Sequence, residues 1–353
     1  MSLTILGVAY PLAPVAPDTA GGAEQVLLAL DRALTERGHR SVVVAQEGST
    51  VHGTLVPTPT PAGPLDEAAV AAAQAHHRAA IAAAISRYRP DVVHLHGIDF
   101  AAYLPAPGVP VLATLHLPIS WYGDAALRPT RPDTWLHCVS SAQQRDAPPG
   151  LPLLPPIANG IDVDAFGGPH ATRPFALMLA RICPEKGIHL ALDAARIAGV
   201  PLLIGGTVFG YEAHRRYFAD EVAPRLDRLR RFLGPVGPAR KRRLLAAASC
   251  VLVPSTAPET SSLVAREALA SGTPVIAFPN GALPETIAHG RTGFLVRDVD
   301  AMAAAIPRAR ELDRALCRRV AAERFRAEDT VAAYLDTYAR LAGGVAPRRA
   351  LAS

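Results

Sequence analysis

Short unbroken apolar runs alternate with longer stretches of helical periodicity along this chain. Residues 3–9 form a continuous apolar run, 11–22 are rich in Pro, Gly and Ala, and 23–37 carry Val26, Leu27, Leu30 and Leu34 at helical spacing up to Gly38. Residues 41–45 are a second short apolar run, and the polar Pro/Thr/Gly segment 48–64 predicts a loop or an edge hairpin. An Ala-rich helix is expected over 65–88, then strands at 91–95 and 110–115. Apolar runs without alternation suit parallel strands covered on both faces, and strands alternating with helices predict a doubly wound α/β domain.

The pattern then restarts. Strands are expected at 175–179, 202–204, 250–253, 274–277 and 294–296, and helices at 186–198, 240–248, 262–270 and 283–289. Two similar halves therefore flank a Pro-, Gly- and Asn-rich junction at 155–172. Residues 327–341 form an amphipathic helix with Val331, Tyr334, Leu335, Tyr338 and Leu341 on one face, and 342–353 read as a disordered tail. Halves of this type place ligand sites at the carboxyl ends of their strands.

Composition narrows the function classes. With 353 residues, 50% hydrophobic and 19% charged, the chain has material for two cored domains and is not disordered. No apolar run reaches the ~18–20 residues that span a bilayer. The N-terminal stretch lacks a basic leader and reads as a first strand rather than a signal peptide. Cys138, Cys183, Cys250 and Cys317 form no CxxC pair, which argues against a zinc site or disulfide frame and fits a reducing cytoplasm. A net charge of +5 with only 5% aromatics is too mild for a dedicated nucleic-acid binder. The excess is concentrated: between Arg225 and Arg243 stand eight basic residues and one acid, Asp227, a local +7. That cluster reads either as a solvated helix face or as a patch for anionic lipid or an acidic acceptor.

The most specific stretch runs from Pro258-Glu259 through Glu267 to Gly272-Thr273-Pro274. Its two glutamates bracket a helix expected to start at Ser261 or Ser262, with Ser as N-cap, and stand ~12 Å apart along the axis. A helix N-terminus between two carboxylates suits a nucleoside diphosphate sugar, with the diphosphate at the helix end and the glutamates toward sugar and ribose hydroxyls. The plain alternative is glutamates that merely favour a helix start. Arg181 and Lys186, in Ala180-Arg-Ile-Cys-Pro-Glu-Lys-Gly187, sit between a strand and a helix, where two cations can clamp a diphosphate and stabilise a leaving group. The alternative there is a pair of surface cations. The triplets Asp162-Val-Asp164 and Asp298-Val-Asp300 read as junction and helix cap rather than metal ligands, and Gly205-Gly-Thr-Val-Phe-Gly210 departs from the dinucleotide fingerprint.

Taken together, these blocks resemble a family 4 retaining glycosyltransferase of the GT-B fold. Gly21-Gly22-Ala-Glu24, Asp91-Val-Val-His94-Leu-His96-Gly97, Thr114-Leu-His116, Asn159-Gly-Ile-Asp162, Gly281-Ala-Leu-Pro-Glu285 and Gly290-Arg-Thr-Gly293 complete the resemblance over almost the whole chain. It implies two Rossmann-like domains facing each other across a cleft: an acceptor domain at 1–168, a donor domain at 169–326, and a helix at 327–341 crossing back to the first. Arg181 and Lys186 would hold the donor diphosphate, Glu259 the sugar hydroxyls and Glu267 the ribose. Backbone N–H groups of Ser262, Leu263 and Val264 would face phosphate and sugar, and Leu233 the nucleobase. Gly21 and Gly22 would allow close approach of the first loop, and His116 would stand beside the reacting sugar, completing a catalytic set with Arg181, Lys186 and Glu259. His94 and His96 read mainly as strand-end packing residues.

The resemblance further implies a metal-independent, cofactor-free transfer from a UDP- or GDP-linked sugar, with retention by front-face attack. The acceptor is a glycan, lipid or small molecule. The expected setting is cytoplasmic, with peripheral contact to an anionic membrane through the basic cluster, as monomer or homodimer and without nucleic acid. A sugar-nucleotide epimerase and a non-catalytic sugar-nucleotide binder are the competing readings. Ser261-Ser262 replaces the family's usual aromatic–Gly pair, and Ala180 the glycine often found before the arginine, so the donor sugar stays open.

Overall fold

The computed structural model describes residues 2–17, 21–61, 63, 65–168 and 171–344. The chain forms two compact units, one comprising residues 1–159 and 328–353 and the other residues 160–327. The first unit thus ends at Asn159, where the sequence reading carries it to 168. Most of the tail at 342–353 lies outside the described residues.

The first unit is built on seven parallel strands: β1 (Thr4–Val8), β2 (Arg40–Gln46), β3 (Thr54–Thr58), β4 (Val92–Leu95), β5 (Val111–Leu115), β6 (Thr134–Cys138) and β7 (Leu153–Leu154), in the order β3-β2-β1-β4-β5-β6-β7. Helices α1 (Gly22–Glu36), α2 (Glu67–Tyr88), α3 (Asp124–Leu127) and α4 (Ser141–Arg145) connect them. Alternate residues of the strands feed opposite cores. Leu6, Val8, Val93 and Leu95 join Ile81 and Ala84 of α2, while Ile5, Val92 and Leu112 join Val26 and Leu30 of α1. The α2 stripe Ala73, His77, Ile81, Ala84 repeats at helical spacing, and Asp66 caps its start by accepting from the Ala69 N–H at 2.9 Å. The segment 48–64, expected as loop or hairpin, holds the parallel edge strand β3 instead. Its Pro57 is tolerated because an edge strand need not donate on both sides.

The second unit repeats the scheme with six parallel strands. These are β8 (Ala176–Leu179), β9 (Leu202–Gly205), β10 (Arg230–Phe232), β11 (Cys250–Val253), β12 (Val275–Ala277) and β13 (Gly293–Leu295), ordered β10-β9-β8-β11-β12-β13. Its helices are α5 (Ile188–Ile197), α6 (Glu212–Tyr217), α7 (Pro238–Ala247), α8 (Leu263–Ala270), α9 (Leu283–Thr286), α10 (Val299–Arg308) and α11 (Arg314–Arg324). On β8, Ala176 and Met178 face the core shared with α5 and α10, and Leu177 faces the one shared with α8 and α11.

The last helix, α12 (Ala327–Ala342), buries Val331, Tyr334, Tyr338 and Leu341 against Leu3, Ile5, Val26 and Leu30 in the first unit. No helix among the described residues is long and apolar enough to cross a membrane.

Candidate active site

In the second sheet the chain order reverses between β8 and β11, because β9 and β10 lie to one side of β8 and β12 and β13 beyond β11. The loops at the carboxyl ends of these two strands flank that switch point, the place where open sheets of this kind bind ligands. Arg181 and Lys186 lie in the loop after β8, Glu259 in the loop after β11. Lys186 Nζ stands 2.5 Å from Glu259 Oε1, so the two loops are joined by an ion pair directly over the switch point. The Ser255 hydroxyl donates to the same oxygen at 2.5 Å, and Asn280 Nδ2 holds the Ser255 carbonyl at 2.5 Å.

Two glycines make this junction sterically feasible. Gly187 adopts φ +64°, and a Cβ there would collide with the Pro254 carbonyl oxygen at the end of β11. Gly281 adopts φ +61° and lies against the Glu259 backbone, whose carbonyl accepts from the Ala282 N–H at 2.6 Å. These two glycines of the sequence motifs thus let backbone pack closely around one carboxylate.

Burial pushes the Glu259 carboxyl up, but Lys186, the Ser255 hydroxyl and Arg181 outweigh it and hold Glu259 below the ordinary carboxylate value, so it is anionic at neutral pH. Beside the clamp, Cys183, Glu185 and His214 bring potential metal-ligand atoms within 4.8 Å of one another. Burial raises the Cys183 thiol to about 11, and that neutral thiol bonds Glu185, a contact that helps lower the Glu185 carboxyl. Sequence spacing gave no hint of this group because His214 comes from a separate helix, α6.

The second glutamate has a partner of its own. Lys241 Nζ lies 2.6 Å from Glu267 Oε1, with side-chain exposures of 23% and 7%. Burial raises the Glu267 carboxyl, and Lys241 offsets part of that rise. Ser262 occupies the N-cap position of α8, as expected, but its hydroxyl makes no capping bond. Ser262, Leu263 and Val264 precede the first helical bond, from the Arg266 N–H to the Ser262 carbonyl at 3.2 Å, so their N–H groups have no partner within the helix. The neighbouring Ser261 hydroxyl is buried with no hydrogen-bond partner. Leu233 directly follows β10, its N–H bonded to the Ile204 carbonyl at 2.8 Å, and so belongs to the same carboxyl end of the sheet.

The basic cluster is not one helix face. Arg225 closes a short turn and pairs with Asp193 at 3.2 Å and Glu221 at 2.9 Å, Arg230 lies on β10 and pairs with Asp227, and Lys241 turns to Glu267. Arg228, Arg231, Arg240, Arg242 and Arg243 are exposed. Sequence reasoning counted Lys241 in this cluster and missed its role, since its partner stands 26 positions further on. The two Asp-x-Asp triplets are local devices: Asp162 accepts from the Ala165 N–H and Asp298 caps α10 through Ala301.

The remaining expected residues belong to the first unit, again at carboxyl strand ends. Gly21 is the N-cap of α1 at φ −84°, an ordinary extended value, and Gly22 opens the helix. The space a Gly21 Cβ would need is taken by the Glu24 carboxylate, so this glycine makes room for a neighbouring side chain rather than for an unusual backbone conformation. His116 follows β5, and its Nε2 lies 3.0 Å from His96 Nδ1 with the rings stacked. Burial and the nearby His137 hold His116 down at about 3, so it is neutral. His94 bridges Tyr338 and Thr114 at 2.7 Å each, and Thr114 bonds His137 at 2.7 Å. His94 is thus a packing residue, whereas His96 touches the candidate His116.

The chain as a whole matches known proteins. The family Glycosyltransferase Family 4 matches residues 20–165, and Glycosyl transferases group 1 matches residues 173–311. A phosphatidyl-myo-inositol mannosyltransferase from Mycolicibacterium smegmatis is 30% identical over 83% of this chain and 82% of its own. The chain belongs to glycosyltransferase family 4. A glycogen synthase from Mycobacterium tuberculosis is 31% identical over 68% of this chain, and the match spans 64% of that enzyme's length. Anabaena HepE, solved in complex with UDP-glucose, superposes with a TM-score of 0.72 over 95% of this chain and all of its own at 20% identity. The two parallel sheets of this family 4 protein are those of the GT-B fold.

Proposed function

We propose that this chain is a retaining glycosyltransferase that moves a sugar from a nucleoside diphosphate donor to an acceptor hydroxyl, without a metal or cofactor. The observation that carries the reading is the Lys186–Glu259 pair over the switch point, 2.5 Å long and set beside Arg181 and the N-terminus of α8. Arg181 and Lys186 supply two positive charges where a departing diphosphate gathers negative charge, and the N–H groups of Leu263 and Val264 add donors that need no reorganisation. Glu259, kept anionic, accepts from hydroxyls of the sugar and fixes its orientation. No protein nucleophile is required: the acceptor attacks the anomeric carbon from the face the diphosphate leaves, and a phosphate oxygen takes the acceptor proton. The UDP-glucose bound by HepE supports a nucleotide-sugar donor.

The deciding experiment screens UDP-, GDP- and ADP-sugars for thermal stabilisation and turnover, on the wild type and on an Arg181→Ala/Lys186→Ala double variant. One donor class should stabilise the wild type and lose that effect in the variant, with turnover reduced on the order of a hundredfold or more. The anomeric coupling of the product by NMR tests retention, and an inverted product would rule out the front-face path. The five exposed arginines at 228, 231, 240, 242 and 243 also support docking on an anionic membrane. Flotation with anionic and neutral vesicles tests it, and equal flotation with both would sink it.

A further inference from the structure

Cys183, Glu185 and His214 reach one another from two separate elements of the second unit. Cys183 and Glu185 flank Pro184 at the single 3₁₀ turn Pro184–Lys186, in the loop after β8, and His214 is the third residue of α6. One ligand atom from each, a sulfur, a carboxylate oxygen and an imidazole nitrogen, lies within 4.8 Å of the other two. The turn is held in place by its backbone. The Lys186 N–H bonds the Cys183 carbonyl at 3.2 Å, and the Glu185 carbonyl accepts from the Thr256 N–H at 2.9 Å in the loop after β11. The His214 ring packs edge-on against Phe209 and Tyr211, with centroids 6.3 and 5.2 Å away. Its Nδ1 is buried and has no hydrogen-bond partner. Folded proteins rarely leave a buried polar atom so, and a bound ion is one of the few things that accounts for it.

The donor set selects the ion. Sulfur and imidazole nitrogen suit zinc, whereas magnesium and calcium take oxygen ligands. Zinc bonds of ~2.0–2.3 Å place tetrahedral ligands ~3.5 Å apart, so side-chain movements of about an ångström close this group on one ion, with water in the fourth position. Binding sends the Cys183 proton to solvent, and the thiolate and the Glu185 carboxylate then balance the charge of the ion. That balance matters because Arg181 acts electrostatically on all three groups. The missing CxxC pair argues against a cysteine-rich zinc site, not against one that draws on a single cysteine. We propose that Cys183, Glu185 and His214 form a zinc site that pins α6 to the turn carrying Lys186. The ion is structural, the transfer chemistry stays with Arg181, Lys186 and Glu259, and the inference stands whether or not that chemistry is as described.

The test uses the full chain, stripped with a chelator and titrated with cobalt(II) as a spectroscopic stand-in for zinc. One equivalent should produce a sulfur-to-cobalt charge-transfer band and the visible bands of a tetrahedral ion, and zinc should abolish both by displacement. Zinc at a hundredfold excess over its Kd should raise the melting temperature by about 3 °C or more, and magnesium should not. Cys183→Ser should lose the charge-transfer band, and His214→Gln and Glu185→Gln should each weaken zinc binding at least about tenfold. Melting curves establish that each variant is folded, and the wild-type spectrum needs no variant. A wild type without the band overturns the proposal, as does a band that persists in folded Cys183→Ser, which would place the ion on another thiol. Zinc affinity unchanged in folded His214→Gln, or equal stabilisation by magnesium, overturns it as well.

Discussion

Lys186 Nζ lies 2.5 Å from Glu259 Oε1, tying the loop after β8 to the loop after β11 across the point where the second sheet changes direction. Lys186→Met leaves Glu259 buried and ionised with only Ser255 bonded to it, which should destabilise the fold by about 3 kcal/mol. Turnover should fall on the order of a hundredfold. Adding Glu259→Gln to that variant removes the stranded charge, so most of the melting temperature should return while turnover stays low. Recovery of both, or of neither, would show that the pair does not act as described.

Stability should decline in mild acid. Burial first, and repulsion from neighbouring histidines second, hold His116 at about 3 and His94 and His96 well below 6.5, and burial holds His77 and His137 at about 4. In the unfolded chain the same rings titrate near 6.5. Below that pH the unfolded state therefore takes up protons that the folded state refuses, and stability falls as pH drops toward the folded values. At pH 5, His77, His116 and His137 would each cost at most about 2 kcal/mol. Glu259, lowered by its partners, adds a loss only once the pH falls below the ordinary glutamate range, and Glu267, raised by burial, acts with the opposite sign. Melting temperatures at pH 7 and pH 5 check this, and equal values would contradict it.

Gly187→Ala should disturb the Lys186–Glu259 pair more than its size suggests. The left-handed backbone costs an alanine ~1–2 kcal/mol, and the added carbon meets the Pro254 carbonyl. The loop must then move Lys186 away from Glu259. A lowered melting temperature together with weaker nucleoside diphosphate binding is the expected pair of results, and unchanged affinity would separate the glycine from the clamp.

Tyr338→Phe tests the attachment of α12. Its hydroxyl bonds His94 Nδ1 at 2.7 Å in a fully buried setting. Losing it leaves a buried imidazole nitrogen without that partner, a cost of about 1–3 kcal/mol. Thermal unfolding of the variant measures this directly, and an unchanged midpoint would show that the bond contributes nothing.

The apolar runs that became β1, β2, β4, β5, β8, β9, β11 and β12 were legible because strands buried on both faces need unbroken hydrophobic sequence. Strand β10 was not, since Arg-Arg-Phe at a sheet edge is held by backbone pairing to β9 alone. Similarly, Thr134-Trp-Leu-His-Cys138 in β6 mixes polar and apolar residues because its histidine is satisfied by Thr114, which no local pattern reveals. At the site, Glu259, Arg181 and Lys186 stood out by spacing within loops. Lys241 and Ser255 did not, because their meaning lies in partners supplied by other elements.

The placement of Tyr334 and Tyr338 has a consequence for how this molecule comes into being. The first unit is completed only by α12, although its first strand is β1. During synthesis its sheet must wait, with the surface around Leu3, Ile5 and Val26 uncovered, until α12 leaves the ribosome. The second unit, whose strands and helices all lie between residues 160 and 327, has everything it needs earlier. Of the two units, the one whose first strand is made earlier is therefore the one whose closing helix is made later.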